Sequence, residues 1–170
     1  MRIIGGKYKG KSIIAPKNLP VRPTTDFAKE SLFNILRNQI DYDSTVLLEL
    51  FAGTGNIGYE FASRGCTDIT AVDAHNGCIN FLEKTSTSLE ADLQIVKSDV
   101  FSFLERNSQS YDIIFADPPY DMEAERFNQL LDLVFDRNLL KTDGTLIVEH
   151  GKQTELSEHL KFERARKYGS

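Results

Sequence analysis

Five short apolar runs, each separated from the next by a helical pattern, limit what this chain can fold into. The runs are Thr45–Phe51, Asp68–Val72, the alternating Leu93–Asp99, Tyr111–Ala116 and Thr145–His150. Helical patterns fall between them: one ending near Arg64, one over about 76–90 that Thr85-Ser86-Thr87-Ser88 breaks up, Val100 to Arg106, and roughly 123–136. Strands separated by helices return in the same direction, so they pair in parallel and carry helices on both faces. The expectation is an α/β, Rossmann-like fold with a mainly parallel twisted sheet. Lys141-Thr142-Asp143-Gly144 reads as a turn before the fifth run. A helical turn near 154–160 and a basic, strand-like stretch over 161–167 follow it.

In such a sheet, ligands bind at the carboxyl edge of the strands. The first run enters Ala52-Gly53-Thr54-Gly55-Asn56-Ile57-Gly58, and Gly53, Gly55 and Gly58 satisfy G-x-G-x-x-G. A glycine loop between strand and helix lets backbone approach a ligand and aims a helix N-terminus at it. Asp73 ends the second run, twenty residues after Gly53, a spacing that suits ribose hydroxyls. A nucleotide-like cofactor follows, and both NAD and S-adenosylmethionine fit. Glu49 favours the second. A carboxylate beside the loop suits an ammonium and a sulfonium and is awkward beside a pyrophosphate. Glu49 can also serve as a structural acid paired with a helix end. Asp99 ends the third run; it can accept from an adenine amino group, cap the helix after it, or do both.

The fourth run stops at Asp117-Pro118-Pro119-Tyr120. Two prolines have no N–H to give, so the strand ends there with a carboxylate, free carbonyl groups and an aromatic ring at the edge. An exocyclic amine on a heterocycle is a weak nucleophile, because its lone pair is delocalised into the ring. Asp117 and the Pro118 carbonyl can accept its two N–H bonds, and Tyr120 can stack on the ring. A plain strand end with a surface aromatic is the bland alternative.

Charge separates the ends from the body. Residues 1–30 are net +5 and 161–167 net +3, within a chain of net charge −5. Basic termini on an acidic body suit contact with phosphates. Arg2-Ile3-Ile4 and Ser12–Ala15 read as a hairpin around Gly5–Lys11, in which Lys7 and Lys9 can meet RNA phosphates and Tyr8 a base. Asp26 can cap a helix over roughly 27–40 with an apolar stripe of Ala28, Leu32, Ile35, Leu36 and Ile40, and Phe33 beside them. Arg22 and the threonines before that cap can line a substrate pocket.

With 170 residues a single domain, 1–170, is expected: a basic hairpin extension over 1–25 and a cofactor-binding and catalytic core over 26–170. No apolar run is long enough to span a membrane and no signal peptide is visible. Cys66 and Cys78 form no C-x-x-C pair, and three scattered histidines give no metal spacing. The expectation is a cytoplasmic monomer without a metal, in which His75 and Cys78 have no chemical role.

The edge residues resemble those of class I S-adenosylmethionine-dependent methyltransferases, and Asp-Pro-Pro-Tyr resembles their amino-group signature. Arg2-Ile-Ile-Gly-Gly, Arg22-Pro-Thr-Thr-Asp, Glu30-Ser-Leu-Phe-Asn34, Phe51-Ala-Gly-Thr-Gly and Asp117-Pro-Pro-Tyr occur in the order seen in bacterial 16S ribosomal RNA guanine-966 N2-methyltransferases. The resemblance implies S-adenosylmethionine as cofactor, S-adenosylhomocysteine as product, and a 16S rRNA partner in the 30S subunit or its assembly intermediate. It implies that Glu49, Phe51, Ala52, Gly53 and Gly55 line the cofactor site, with Asp73 at the ribose and Asp99 near the adenine. Asp117, Pro118 and Tyr120 would hold a flipped base, approached by Arg22 and Thr24. Adenine N6, a protein glutamine, or a non-catalytic RNA-binding role remain as alternatives at this point. Phe27-Ala28-Lys29 stands where the family usually has more basic residues. Class I methyltransferases close the sheet with a hairpin whose last strand is antiparallel, and that strand is expected to be missing from these 170 residues.

Overall fold

A computed structural model describes residues 1–22 and 24–168. The strands are β1 (Val46–Leu50), β2 (Asp68–Asp73), β3 (Leu93–Lys97), β4 (Tyr111–Ala116) and β5 (Leu140–Val148). The helices are α1 (Asp26–Leu36), α2 (Asn56–Ser63), α3 (Asn76–Leu89), α4 (Val100–Arg106) and α5 (Ala124–Asp136). The sheet order is β3-β2-β1-β4-β5, and every pairing is parallel. The order reverses between β1 and β4, so the crevice between their carboxyl ends is the switch point.

Alternation along the strands builds two cores. Leu47, Ile69 and Phe115 face α2, α3 and the N-terminal segment. Leu48, Leu50, Val72 and Ile114 face α4 and α5. α2 is buried from Ile57 to Ser63 because residues 1–13 run along its outer side. Ile3, Tyr8 and Ile13 join the core there.

The N-terminal segment turns back between the two expected runs, but the pairing is short: one antiparallel bridge, Arg2 to Ser12, flanked by Ile3 N donating to the Lys11 carbonyl at 3.0 Å and Ile13 N to the Met1 carbonyl at 2.9 Å. Further anchors tie it to the domain. Ile4 N and Gly5 N donate to the two Glu60 carboxylate oxygens at 2.8 and 3.0 Å, and Lys7 N donates to the Ser63 carbonyl at 2.8 Å. Lys29 Nζ lies 3.1 Å from Glu60 and donates to the Arg2 carbonyl at 2.6 Å.

Helix boundaries shift as well. Thr25, not Asp26, caps α1, its hydroxyl accepting from Ala28 N at 3.2 Å; Asp26 pairs with Arg2. The helix ends at Leu36; Phe33 and Leu36 are buried as expected, Leu32 and Ile40 pack against the core, and Lys29 joins the buried face. α3 runs unbroken through Thr85–Ser88, because Thr85 and Ser86 are buried and the Thr87 hydroxyl donates back to the Glu83 carbonyl at 3.0 Å. Lys141–Gly144 loops out as expected: Leu140 opposes Tyr111 and Thr145 opposes Ile113, with Asp143 at φ 64°. Residues 154–160 form isolated turns, not a helix, and 161–167 are exposed and form no strand. Their charged side chains find no apolar surface to pack on.

Candidate active site

The strand ends converge at the switch point. β1 runs into Phe51, held at φ 55°, a conformation uncommon away from glycine. Gly53 follows at φ 56° and Gly55 at φ 80°. A Cβ on Gly55 would sit 2.6 Å from Leu82, and one on Gly53 would sit 3.0 Å from Val21. Ala52 is buried; its amide extends the ladder to the Val72 carbonyl at 3.0 Å. Val21 therefore lies across the glycine loop, which places Arg22 at the mouth of the crevice.

Asp73 holds this loop. One of its oxygens accepts from Gly53 N at 2.8 Å and the other from His75 N at 2.9 Å. His75 then caps α3, its Nδ1 accepting from Gly77 N and Cys78 N. That structural part was absent from the sequence reading, although a side chain able to accept just before a helix was its visible signal. Asp99 is the exposed cap of α4: one oxygen accepts from Ser102 N at 2.9 Å, which leaves the other for a ligand.

Glu49 is where its second reading placed it. It faces α2, is 3% exposed, and accepts from Gly58 N in the first turn of that helix at 2.9 Å. Burial pushes its carboxyl up to about 8, and the Asp117 and Asp73 carboxylates add to the push. A cofactor that brings positive charge relieves that repulsion, whereas a pyrophosphate would deepen it. Among the described residues, no group of three His, Cys, Asp or Glu side chains is placed to hold a metal. No described helix is long and apolar enough to cross a membrane.

Opposite the loop stands the Pro-Pro strand end. Pro118 is buried and Tyr120 is half exposed, its carbonyl fixed by Gln153 Nε2 at 3.0 Å. The Arg22 guanidinium carbon lies over the Tyr120 ring, 3.1 Å from its centroid. Its Nη2 is 3.6 Å from Asp117 and donates to Glu149 at 3.2 Å. Glu149 follows β5 and keeps register through its amide, which donates to the Ala116 carbonyl at 2.9 Å. Burial raises the Asp117 carboxyl to about 7; the Glu149 carboxylate raises it further, and Arg22 partly offsets both. Thr24 is half-buried next to this cluster in sequence. Glu149 carried no sequence signal beyond its place at the end of the fifth run.

The expected basic face is less complete. Lys7 and Lys9 are exposed, but Lys7 is anchored at the last residue of α2, about 10 Å along that helix from the glycine loop. Tyr8 is buried between Lys7 and Lys11 and offers no face to a base. Lys29 is buried against Glu60, so it cannot meet phosphate either.

Residues 1–170 match the family described as conserved hypothetical protein 95. The chain belongs to that family. It is 33% identical to ribosomal RNA small subunit methyltransferase D of Buchnera aphidicola over 88% of this chain and 75% of that protein. The Escherichia coli protein of the same name is 31% identical over 88% and 74%. Among solved structures, the yhhF protein of Escherichia coli superposes with a TM-score of 0.85 at 28% identity, covering 100% of this chain and 92% of that one. The family member described here has the class I methyltransferase fold and is an enzyme that uses S-adenosylmethionine.

Proposed function

We propose that this enzyme methylates the exocyclic N2 of a guanine in 16S ribosomal RNA, acting in the cytoplasm as a monomer on the 30S subunit or its assembly intermediate. The observation that carries the reading is the acceptor side: a carboxylate at a Pro-Pro strand end beside an aromatic ring that already stacks a planar group. The relatives named as small-subunit rRNA methyltransferases support the substrate class.

S-adenosylmethionine, when bound, supplies an electrophilic methyl group. The rest is the work of the chain. Phe51, Ala52, Gly53 and Gly55 bring backbone to the cofactor, with Asp73 at its ribose and the free Asp99 oxygen at its adenine. Tyr120 stacks on the splayed base, and the Pro118 carbonyl and Asp117 carboxylate accept from its amine. Turning the amine in this way localises its lone pair toward the methyl group, and alignment supplies much of the acceleration. Asp117 then stabilises the positive charge that develops on nitrogen and can take the released proton. Ionised Asp117 is required, so transfer rises with pH through about 7. Arg22 and Thr24 approach the nucleotide, and Lys7 and Lys9 serve a more distant stretch of RNA. Extracting the base from a folded RNA costs a few kcal/mol, which phosphate contacts must offset.

The test is transfer from labelled S-adenosylmethionine to unmodified 30S subunits, naked 16S RNA, DNA and a protein extract, with digestion of the product. N2-methylguanosine from 30S subunits is the expected result. N6-methyladenine or methylglutamine would overturn the substrate.

A further inference from the structure

The Arg22 guanidinium is more than a counter-ion. It lies over the Tyr120 ring, and one nitrogen, Nη2, stands between two carboxylates, donating to Glu149 at 3.2 Å and lying 3.6 Å from Asp117. Guanine can serve the same two carboxylates from its Watson–Crick edge, where N1–H and the N2 amino group flank one carbon and point the same way. In the free enzyme Arg22 thus stands where a guanine edge would lie.

We propose that Glu149 is the residue that specifies guanine: it accepts the ring N1–H while Asp117 and the Pro118 carbonyl accept the N2 amino group, after Arg22 has withdrawn. This inference rests on the guanine-N2 reading above and deepens it. Among the ordinary nucleobases only guanine has an exocyclic amine next to a ring N–H. In adenine the neighbour of the amine is N1, and in cytosine it is N3; each is a lone pair that an ionised Glu149 repels. A glutamine side chain carries both its N–H bonds on one nitrogen and has no N–H on a neighbouring atom. Withdrawal of Arg22 is undemanding, because its contacts are partly solvent-exposed, with Arg22 38%, Glu149 32% and Asp117 23% exposed.

The experiment compares kcat/KM for reconstituted 30S subunits carrying either guanine or 2-aminopurine at the acceptor position. 2-Aminopurine keeps the C2 amine but has a lone pair at N1. The natural enzyme is expected to prefer guanine by about 10–100-fold, the size of one lost pairing at a base edge. Glu149→Gln presents an amide that can donate to N1. It should lower guanine transfer about tenfold, leave 2-aminopurine transfer level or raised, and so collapse the ratio. Glu149→Asp should recover part of the preference. Cofactor affinity and melting temperature, followed in parallel, should not move. If Glu149→Gln lowers both substrates equally and keeps the ratio, the proposal is overturned while the guanine-N2 reading stands. If the natural enzyme transfers no methyl to guanine, both are overturned.

Discussion

Two charged clusters tie the first thirty residues to the sheet domain, and they are built to opposite rules. At Glu60 the network is dry. Lys29 and Glu60 are 1% and 0% exposed, and Glu60 accepts from Ile4 N, Gly5 N, Lys29 and Arg64. Burial alone would raise the Glu60 carboxyl, yet those two amides and Lys29 bring it below its usual range. At Asp117 the network is open: Arg22 serves two carboxylates at 3.6 and 3.2 Å, and burial leaves Asp117 raised. The same kinds of side chain make a fixed anchor where every group is satisfied and a releasable contact where they are not. A ligand can compete only for the second.

Breaking the anchor should have the largest effect. Glu60→Ala removes the acceptor of two backbone amides and leaves Lys29 buried without its counter-ion, held only by the Arg2 carbonyl and Asn56 Oδ1. A loss of about 3–5 kcal/mol in denaturant unfolding is expected. Adding Lys29→Met to that variant should recover only part, because Ile4 N and Gly5 N still lack their acceptor. Full recovery would mean that the charge pair alone matters.

At the open cluster the cost moves from stability to rate. Asp117→Ala should lower methyl transfer by about 10²–10³-fold, the usual effect of deleting one group that meets developing charge. Affinity for S-adenosylmethionine, measured by titration calorimetry, should change little. Loss of cofactor binding would assign Asp117 to the wrong side of the crevice.

The two clusters were unequally legible in the sequence. Asp117 could be placed because the Pro-Pro pair forces the strand to end there, and Gly53 and Asp73 because their spacing is tied to one turn of the fold. Lys29 and Tyr8 could not. Their burial depends on Glu60 and on α2, which lie some thirty and fifty residues away in the chain. The buried face of α1 includes Lys29 for the same reason: a lysine with a buried partner counts as core, and periodicity scores it as surface. The expected strand at 161–167 failed differently, since alternation without a surface to cover does not order a segment. Glu149 lay in plain view, but its meaning needed Arg22 and Asp117 beside it.

Asp117 also gives a stability effect of known sign. Its carboxyl is raised from the ordinary 3.8 to about 7, so the folded state holds its proton where the unfolded chain has lost it. Stability from this group is complete below pH 4, falls as pH rises toward 7, and is flat above that. Asp117→Asn removes the ionisation. It should match the natural protein in stability near pH 4 and exceed it by up to about 4 kcal/mol at pH 8. An equal gap at both pH values would show that ionisation is not the cause.

The smallest effect sharpens the contrast most. Arg22 is a partly exposed partner, so its hold on Asp117 should be worth no more than other exposed ion pairs, roughly 0.2–1 kcal/mol. Arg22→Ala should therefore raise the Asp117 midpoint by about half a unit, read by carbon NMR of the labelled carboxyl in the free enzyme. The direction follows from the charges: Arg22 favours the carboxylate, while burial and Glu149 oppose it. Melting temperature should scarcely move, unlike the Glu60 variant. A shift of two units or more would make Arg22 a fixed anchor like Lys29, too tightly held for a base to displace.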